Sequence, residues 1–91
     1  MKKIAIFGST GSIGTQSLHV MEKFPTNFNI VFLAAMKNEK LLKEQSQKFN
    51  SEMFLGELND GVTESVVRNA DIIINAIPGF AGLFVSLSAI R

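Results

Sequence analysis

Short continuous apolar runs alternate along this chain with stretches in which apolar residues recur at helical spacing. Lys3 to Phe7 is rich in β-branched and apolar residues and predicts a strand; from Ser12 onward Ile13, Leu18, Val20, Met21 and Phe24 keep approximately helical spacing until Pro25 ends it. Asn29 to Ala35 is a second unbroken apolar run, as expected for a parallel strand buried on both faces. Leu41, Leu42, Gln45 and Phe49 then mark one side of a second helix. Glu52 to Leu55 predicts a short third strand, followed by a turn at Asn59-Asp60-Gly61 and a brief helix carrying Val62, Val66 and Val67. Asp71 to Ile77 predicts a fourth strand, and beyond Pro78-Gly79 the positions Phe80, Leu83, Phe84, Leu87 and Ile90 predict a last helix.

Strands alternating with helices at this rhythm need crossover connections, which build parallel sheets. The expected fold is therefore α/β, a Rossmann-like parallel sheet of about four strands with helices on both faces. No repeat, low-complexity tract or linker divides residues 1–91, so they are expected to form one unit. The last helical pattern reaches Arg91 without a Gly or Asn to cap it, and a sheet of this size leaves an edge that proteins normally cover. Both features predict the N-terminal part of a longer enzyme.

Composition narrows the functional classes. Of 91 residues, 46% are hydrophobic and 19% charged with a formal net charge of +1, an ordinary globular balance without the basic stripe that nucleic-acid binding requires. The chain has no cysteine, which excludes disulfides, thiolate nucleophiles and cysteine metal sites within it. No apolar run approaches a membrane span, and the run after Lys2 and Lys3 is too short for a secretory signal, so a cytoplasmic setting without membrane association is expected. The carboxylates are spread singly, giving no metal cluster, and the lone histidine, His19, has no partner at a catalytic spacing. No catalytic residue is assigned.

What chemistry remains lies in Gly8-Ser9-Thr10-Gly11-Ser12-Ile13-Gly14, where the first strand turns through glycines into the first helix. A helix N-terminus offers free N–H groups and a partial positive charge, and glycine lets the backbone approach a pyrophosphate that a Cβ would keep away. Glycines at 8, 11 and 14 give GxxGxxG, with Thr10 where the commonest dinucleotide fingerprint has glycine. Ser9, Thr10 and Ser12 supply further donors, and the absence of a following GK[ST] rejects a Walker-type loop. After the second strand, where NAD sites place a carboxylate for the ribose hydroxyls, this chain reads Ala34-Ala35-Met36-Lys37-Asn38. A cation with an amide donor favours the ribose 2′-phosphate, hence NADPH over NADH. The alternatives are a solvated turn at Lys37, an N-cap role for Asn38, and a tight turn without ligand at the glycines. Pro78-Gly79-Phe80-Ala81-Gly82 either lines a nicotinamide ribose or only sets a strand-to-helix turn.

The segments KKIAIFGSTGSIGTQSLHVMEKFP, FNIVFLAAMKN and AIPGFAGLFVSLSAIR together resemble the N-terminal NADPH-binding region of 1-deoxy-D-xylulose 5-phosphate reductoisomerases, over nearly the whole chain. The resemblance implies an NADPH-dependent enzyme of non-mevalonate isoprenoid synthesis. Such an enzyme rearranges 1-deoxy-D-xylulose 5-phosphate and reduces the product to 2-C-methyl-D-erythritol 4-phosphate with a divalent Mg or Mn ion, as a homodimer. It carries nucleotide contacts onto Thr10, Gly11, Ser12 and Ile13 and onto Lys37 and Asn38, and puts the metal, substrate and catalytic residues beyond Arg91. The 91-residue chain alone is accordingly expected to be inactive and to bind no metal.

Two departures stand out: Met36 occupies a position where the family usually has glycine, and Ser51 to Ala70 is shorter than the corresponding family region. The alternatives carried forward are another GxTGxxG reductase, such as a semialdehyde dehydrogenase, and a stand-alone NADP(H)-binding regulatory module.

Overall fold

The computed structural model describes residues 1–77 and the backbone of 84–85. Its elements are β1 (Lys2–Phe7), α1 (Ser12–Met21), β2 (Phe28–Ala35), α2 (Glu39–Phe49), β3 (Glu52–Leu55), α3 (Asp60–Asn69), β4 (Ile72–Asn75) and β5 (Phe84–Val85). They form one sheet in the order β3-β2-β1-β4-β5, with the first four strands mutually parallel. All four parallel strands therefore end on the same edge of the sheet. The predicted Rossmann-like architecture is present.

One expectation fails. Phe84 and Val85, placed by their spacing in a last helix, instead form a strand antiparallel to β4, with Ile74 opposite Val85 and Asn75 opposite Phe84. Aromatic and β-branched residues suit a strand, and the open edge of β4 offers their backbone an unpaired ladder that no count of local spacing reveals. The rest of the predicted helix and the Pro78–Gly82 turn lie outside the described residues.

Alternation along β1 divides the core into two layers. Ile4 and Ile6 pack with Leu18 of α1, Leu42 of α2, Ile30 and Leu33 on one face; Ala5 and Phe7 pack with Val66 of α3, Ala34 and Ile73 on the other. A register shift in the β1–β2 pairing, where Ile4 faces Ile30 but Ala5 faces Phe32, marks a bulge at Val31. The bulge lets Ile30 and Leu33 share a face while Phe32 meets Phe7 edge-on, 6.2 Å between ring centroids.

The apolar stripe of α1 is narrower than the sequence pattern suggests. Gly14 and Leu18 are buried and Met21 packs against the core, whereas Ile13 and Val20 are 43% and 54% exposed; Phe24, expected to close the same helix, lies past its end at Met21 and is 49% exposed. Gly14, Leu18 and Met21 stand at i, i+4 and i+7, the spacing of a true helix face.

Candidate functional site

The strand order reverses between β1 and β4, because α1 and α2 cover one face and α3 the other. In open α/β sheets the crevice at that reversal, outside the carboxyl ends of the strands, is the ligand site. The glycine loop lies in it. Gly8 adopts φ +86°, and a Cβ there would meet the Ala76 carbonyl carbon at 2.9 Å, so only glycine fits between the ends of β1 and β4. Gly14 brings α1 down onto the loop so closely that a Cβ would lie 2.6 Å from Ser9 Cα and overlap the Gly8 carbonyl. At Gly11 the same added atom would meet only the Gly8 carbonyl oxygen, at 3.7 Å, and would otherwise face open space.

Gly11 is the N-cap of α1, in extended conformation, with its own N–H donated to the Gly8 carbonyl at 3.2 Å. The first intrahelical donor is Thr15, bonded to the Gly11 carbonyl at 2.9 Å, so the N–H groups of Ser12, Ile13 and Gly14 precede the ladder. Among the described residues none of them has a protein acceptor. The other two helices begin differently: Asn38 caps α2 by accepting from the Leu41 N–H at 3.2 Å, and Asn59 caps α3 by accepting from Val62 at 2.9 Å. Both also carry an acidic residue in the first turn, Glu39 and Asp60, and α1 carries none. The positive end of α1 is thus the one left uncompensated among the described helices.

The turn after β2 sits beside this loop because the N–H groups of Gly8 and Ser9 both donate to the Ala34 carbonyl, at 2.8 and 3.0 Å. Met36, Lys37 and Asn38 follow directly and are exposed. With its side-chain oxygen engaged as a cap, Asn38 keeps its amide N–H groups available as donors, so capping and ligand binding are compatible. Met36, 48% exposed, lines a shallow cleft with Gly8, Ala35, Gly56, Leu58 and Ile77, about 10 Å³ in volume. A cleft of that volume is too small to enclose a nucleotide base. A much larger cleft of about 540 Å³ lies between α3 and β2–β3, where apolar Val31, Phe32, Phe54 and Val62 share the walls with polar Glu52, Asn59, Ser65 and Asn69, and no residue of the glycine loop lines it.

Ser9 is a correction to the donor set. Its side chain is fully buried, and the hydroxyl donates to Gln45 Oε1 at 2.8 Å while Gln45 Nε2 returns a bond to the Ser9 carbonyl at 2.9 Å. Of the three hydroxyl residues, Thr10 is half-buried and Ser12 exposed, and they remain at the mouth. Gln45 was legible only as a polar residue interrupting the apolar side of the second helix, the signal that could have marked it. His19 lies on the surface of α1, with Nδ1 3.4 Å from Glu22. Among the described residues no three His, Cys, Asp or Glu side chains converge, and no helix is long and apolar enough to cross a membrane.

A family profile described as 1-deoxy-D-xylulose 5-phosphate reductoisomerase matches residues 4–60, from β1 into the start of α3. The chain belongs to this family. The reductoisomerase of Thermoanaerobacter sp. strain X514 is 37% identical over an alignment that takes in 100% of this chain and 29% of the relative. That of Synechococcus sp. strain CC9605 is 36% identical over the same shares, so the chain spans less than a third of the length of either. Among solved structures, the reductoisomerase from Zymomonas mobilis in complex with NADPH superposes with a TM-score of 0.70 at 22% identity, covering 84% of this chain and 26% of that one. This likeness shows the shared Rossmann-like fold.

Proposed function

We propose that residues 1–91 are the NADPH-binding portion of a reductoisomerase that converts 1-deoxy-D-xylulose 5-phosphate to 2-C-methyl-D-erythritol 4-phosphate. Family membership supports the reaction class. The observation that carries the cofactor reading is the N-terminus of α1, which has neither a side-chain cap nor an acidic first-turn residue and opens from the glycine loop at the sheet's reversal point. The residues fit the group: the N–H groups of Ser12, Ile13 and Gly14, unpartnered among the described residues, suit a pyrophosphate, and the open space over Gly11 admits it.

In this reading Thr10, Gly11, Ser12 and Ile13 hold the pyrophosphate. Lys37 and Asn38 hold the ribose 2′-phosphate, and Met36 lies along the adenine. NADPH supplies the hydride for the reduction. The chain's own residues bind and orient the coenzyme, and the residues that act on the substrate and its Mg or Mn ion belong to the remainder of the enzyme. The same family membership supports a cytoplasmic homodimer acting on a small phosphorylated sugar.

Calorimetric titration of the chain with NADPH and with NADH tests this reading. NADPH should bind more tightly than NADH; heat from neither would overturn it.

A further inference from the structure

The Ser9–Gln45 pair is buried, reciprocal and spans 36 positions of sequence. Ser9 is 0% and Gln45 8% exposed, so both bonds are buried, and the pair joins the middle of α2 to the second residue of the glycine loop. A glutamine uses both ends of its amide here, accepting from the hydroxyl and donating to the carbonyl. On its other side the loop is held by the two N–H bonds to the Ala34 carbonyl. Both anchors act on Gly8 and Ser9 at the start of the loop, and Gly11 is tied back to them by its own N–H, which donates to the Gly8 carbonyl at 3.2 Å, so the held loop start sets the direction in which the N–H groups of α1 point.

Because Lys37 and the N-cap Asn38 lead directly into α2, one helix supports both halves of the candidate site. Lys37 and Asn38 precede its first turn, and Gln45, two turns on, fastens the loop. We infer that Gln45 is a positioning residue for dinucleotide binding, holding the Ser9 peptide so that the pyrophosphate-facing amides are pre-oriented before the coenzyme arrives. The inference rests on the cofactor reading above and concerns how that site is kept in shape. Freezing a loop in its bound geometry removes an ordering cost from binding.

The test uses the 91-residue chain with Gln45→Met, which preserves volume and removes both bonds, and Gln45→Glu, which preserves the acceptor for Ser9 Oγ and loses the donor to the Ser9 carbonyl. Val66→Ala, in the opposite layer of the core, serves as a control for general loss of stability. Amide hydrogen exchange without nucleotide should show Gly8 and Ser9 losing protection at least tenfold in Gln45→Met beyond any change in the core strands, and calorimetry should show NADPH and NADH weakened about equally, tenfold or more. Gln45→Glu should fall in the same direction, while Val66→Ala lowers Tm yet leaves the affinity of the folded protein unchanged.

Unchanged protection of Gly8 and Ser9 in Gln45→Met overturns the positioning role whatever the nucleotide result. Lost protection with unchanged affinity overturns it too, as does a loss of affinity that Val66→Ala reproduces at equal Tm. If the unsubstituted chain binds neither dinucleotide, the cofactor reading falls and this inference with it, an outcome distinct from the exchange result. If Gln45→Met does not fold, Ser9→Ala decides: it keeps the bond to the carbonyl, and its exchange and affinity should lie between those of the unsubstituted chain and Gln45→Glu, equality with the unsubstituted chain in both overturning the inference.

Discussion

Gly14 stands against the Gly8 carbonyl with no room for a Cβ between them, so the first turn of α1 rests directly on the bend that leaves β1. Gly14→Ala, which in an open helix interior would stabilise by about 1 kcal/mol, should here reverse sign, because backbone would have to part from backbone. A loss of about 2 kcal/mol or more in urea unfolding is expected. Gly8→Ala should be comparably costly, since it adds a left-handed φ of +86° to a contact with Ala76.

Gly11 separates folding from binding. Its φ of −79° is open to any residue and its added Cβ meets nothing closer than 3.7 Å. Gly11→Val should leave the unfolding midpoint within a few degrees and abolish binding of both dinucleotides, because the side chain would occupy the approach to the free amides. Circular-dichroism melts and calorimetry on the same samples check both halves; retained affinity would contradict the assignment.

Lys37 should select between cofactors. Replacing it by alanine is expected to cost NADPH affinity about 1 to 3 kcal/mol, the range for a hydrogen bond to a charged group, and to leave NADH nearly unchanged. Raising salt should weaken NADPH binding to the unsubstituted chain more than to Lys37→Ala. Equal losses for the two cofactors would remove Lys37 from the site.

Glu22 ties the end of α1 to α2 through Lys48, at 2.7 Å. The hydrogen bond from Lys48 is the main cause holding its carboxyl below the ordinary 4.5; desolvation, the next largest effect, opposes it, and the charge of Lys48 and then His19 add lesser lowering. A carboxylate whose folded-state pKa is depressed stabilises the fold fully above its unfolded value and loses that contribution as pH falls through the folded value. Lys48→Met should therefore be less stable than the unsubstituted chain near pH 7, with the gap closing in acid below 4.5. Urea unfolding at about pH 7 and about pH 3 checks the sign; the pair is exposed enough that added salt should shrink the effect as well.

The strands and helices up to Ile77 were legible in the sequence because their signals are local. Lys3 to Phe7 and Asn29 to Ala35 announce strands buried on both sides, and Asn38 marks where the second helix starts, whereas α1 stops at Met21, short of the Pro25 expected to end it. The glycine loop and the cationic turn after β2 were equally plain, being runs of contiguous residues. Tertiary structure decided the rest. Which of Ile13, Leu18 and Val20 would be buried depended on where α1 lies over the sheet, and the bulge at Val31 was invisible in a strand apolar on both faces. Whether Phe84 and Val85 would continue a helix or pair with β4 turned on an edge that exists only once the sheet is assembled. Ser9 offered the same hydroxyl as Thr10 and Ser12 until α2 packed over the loop and Gln45 claimed it; a hydrogen bond across 36 residues is set by strand order, which brings β1 and the helix after β2 together, and no local pattern encodes that distance.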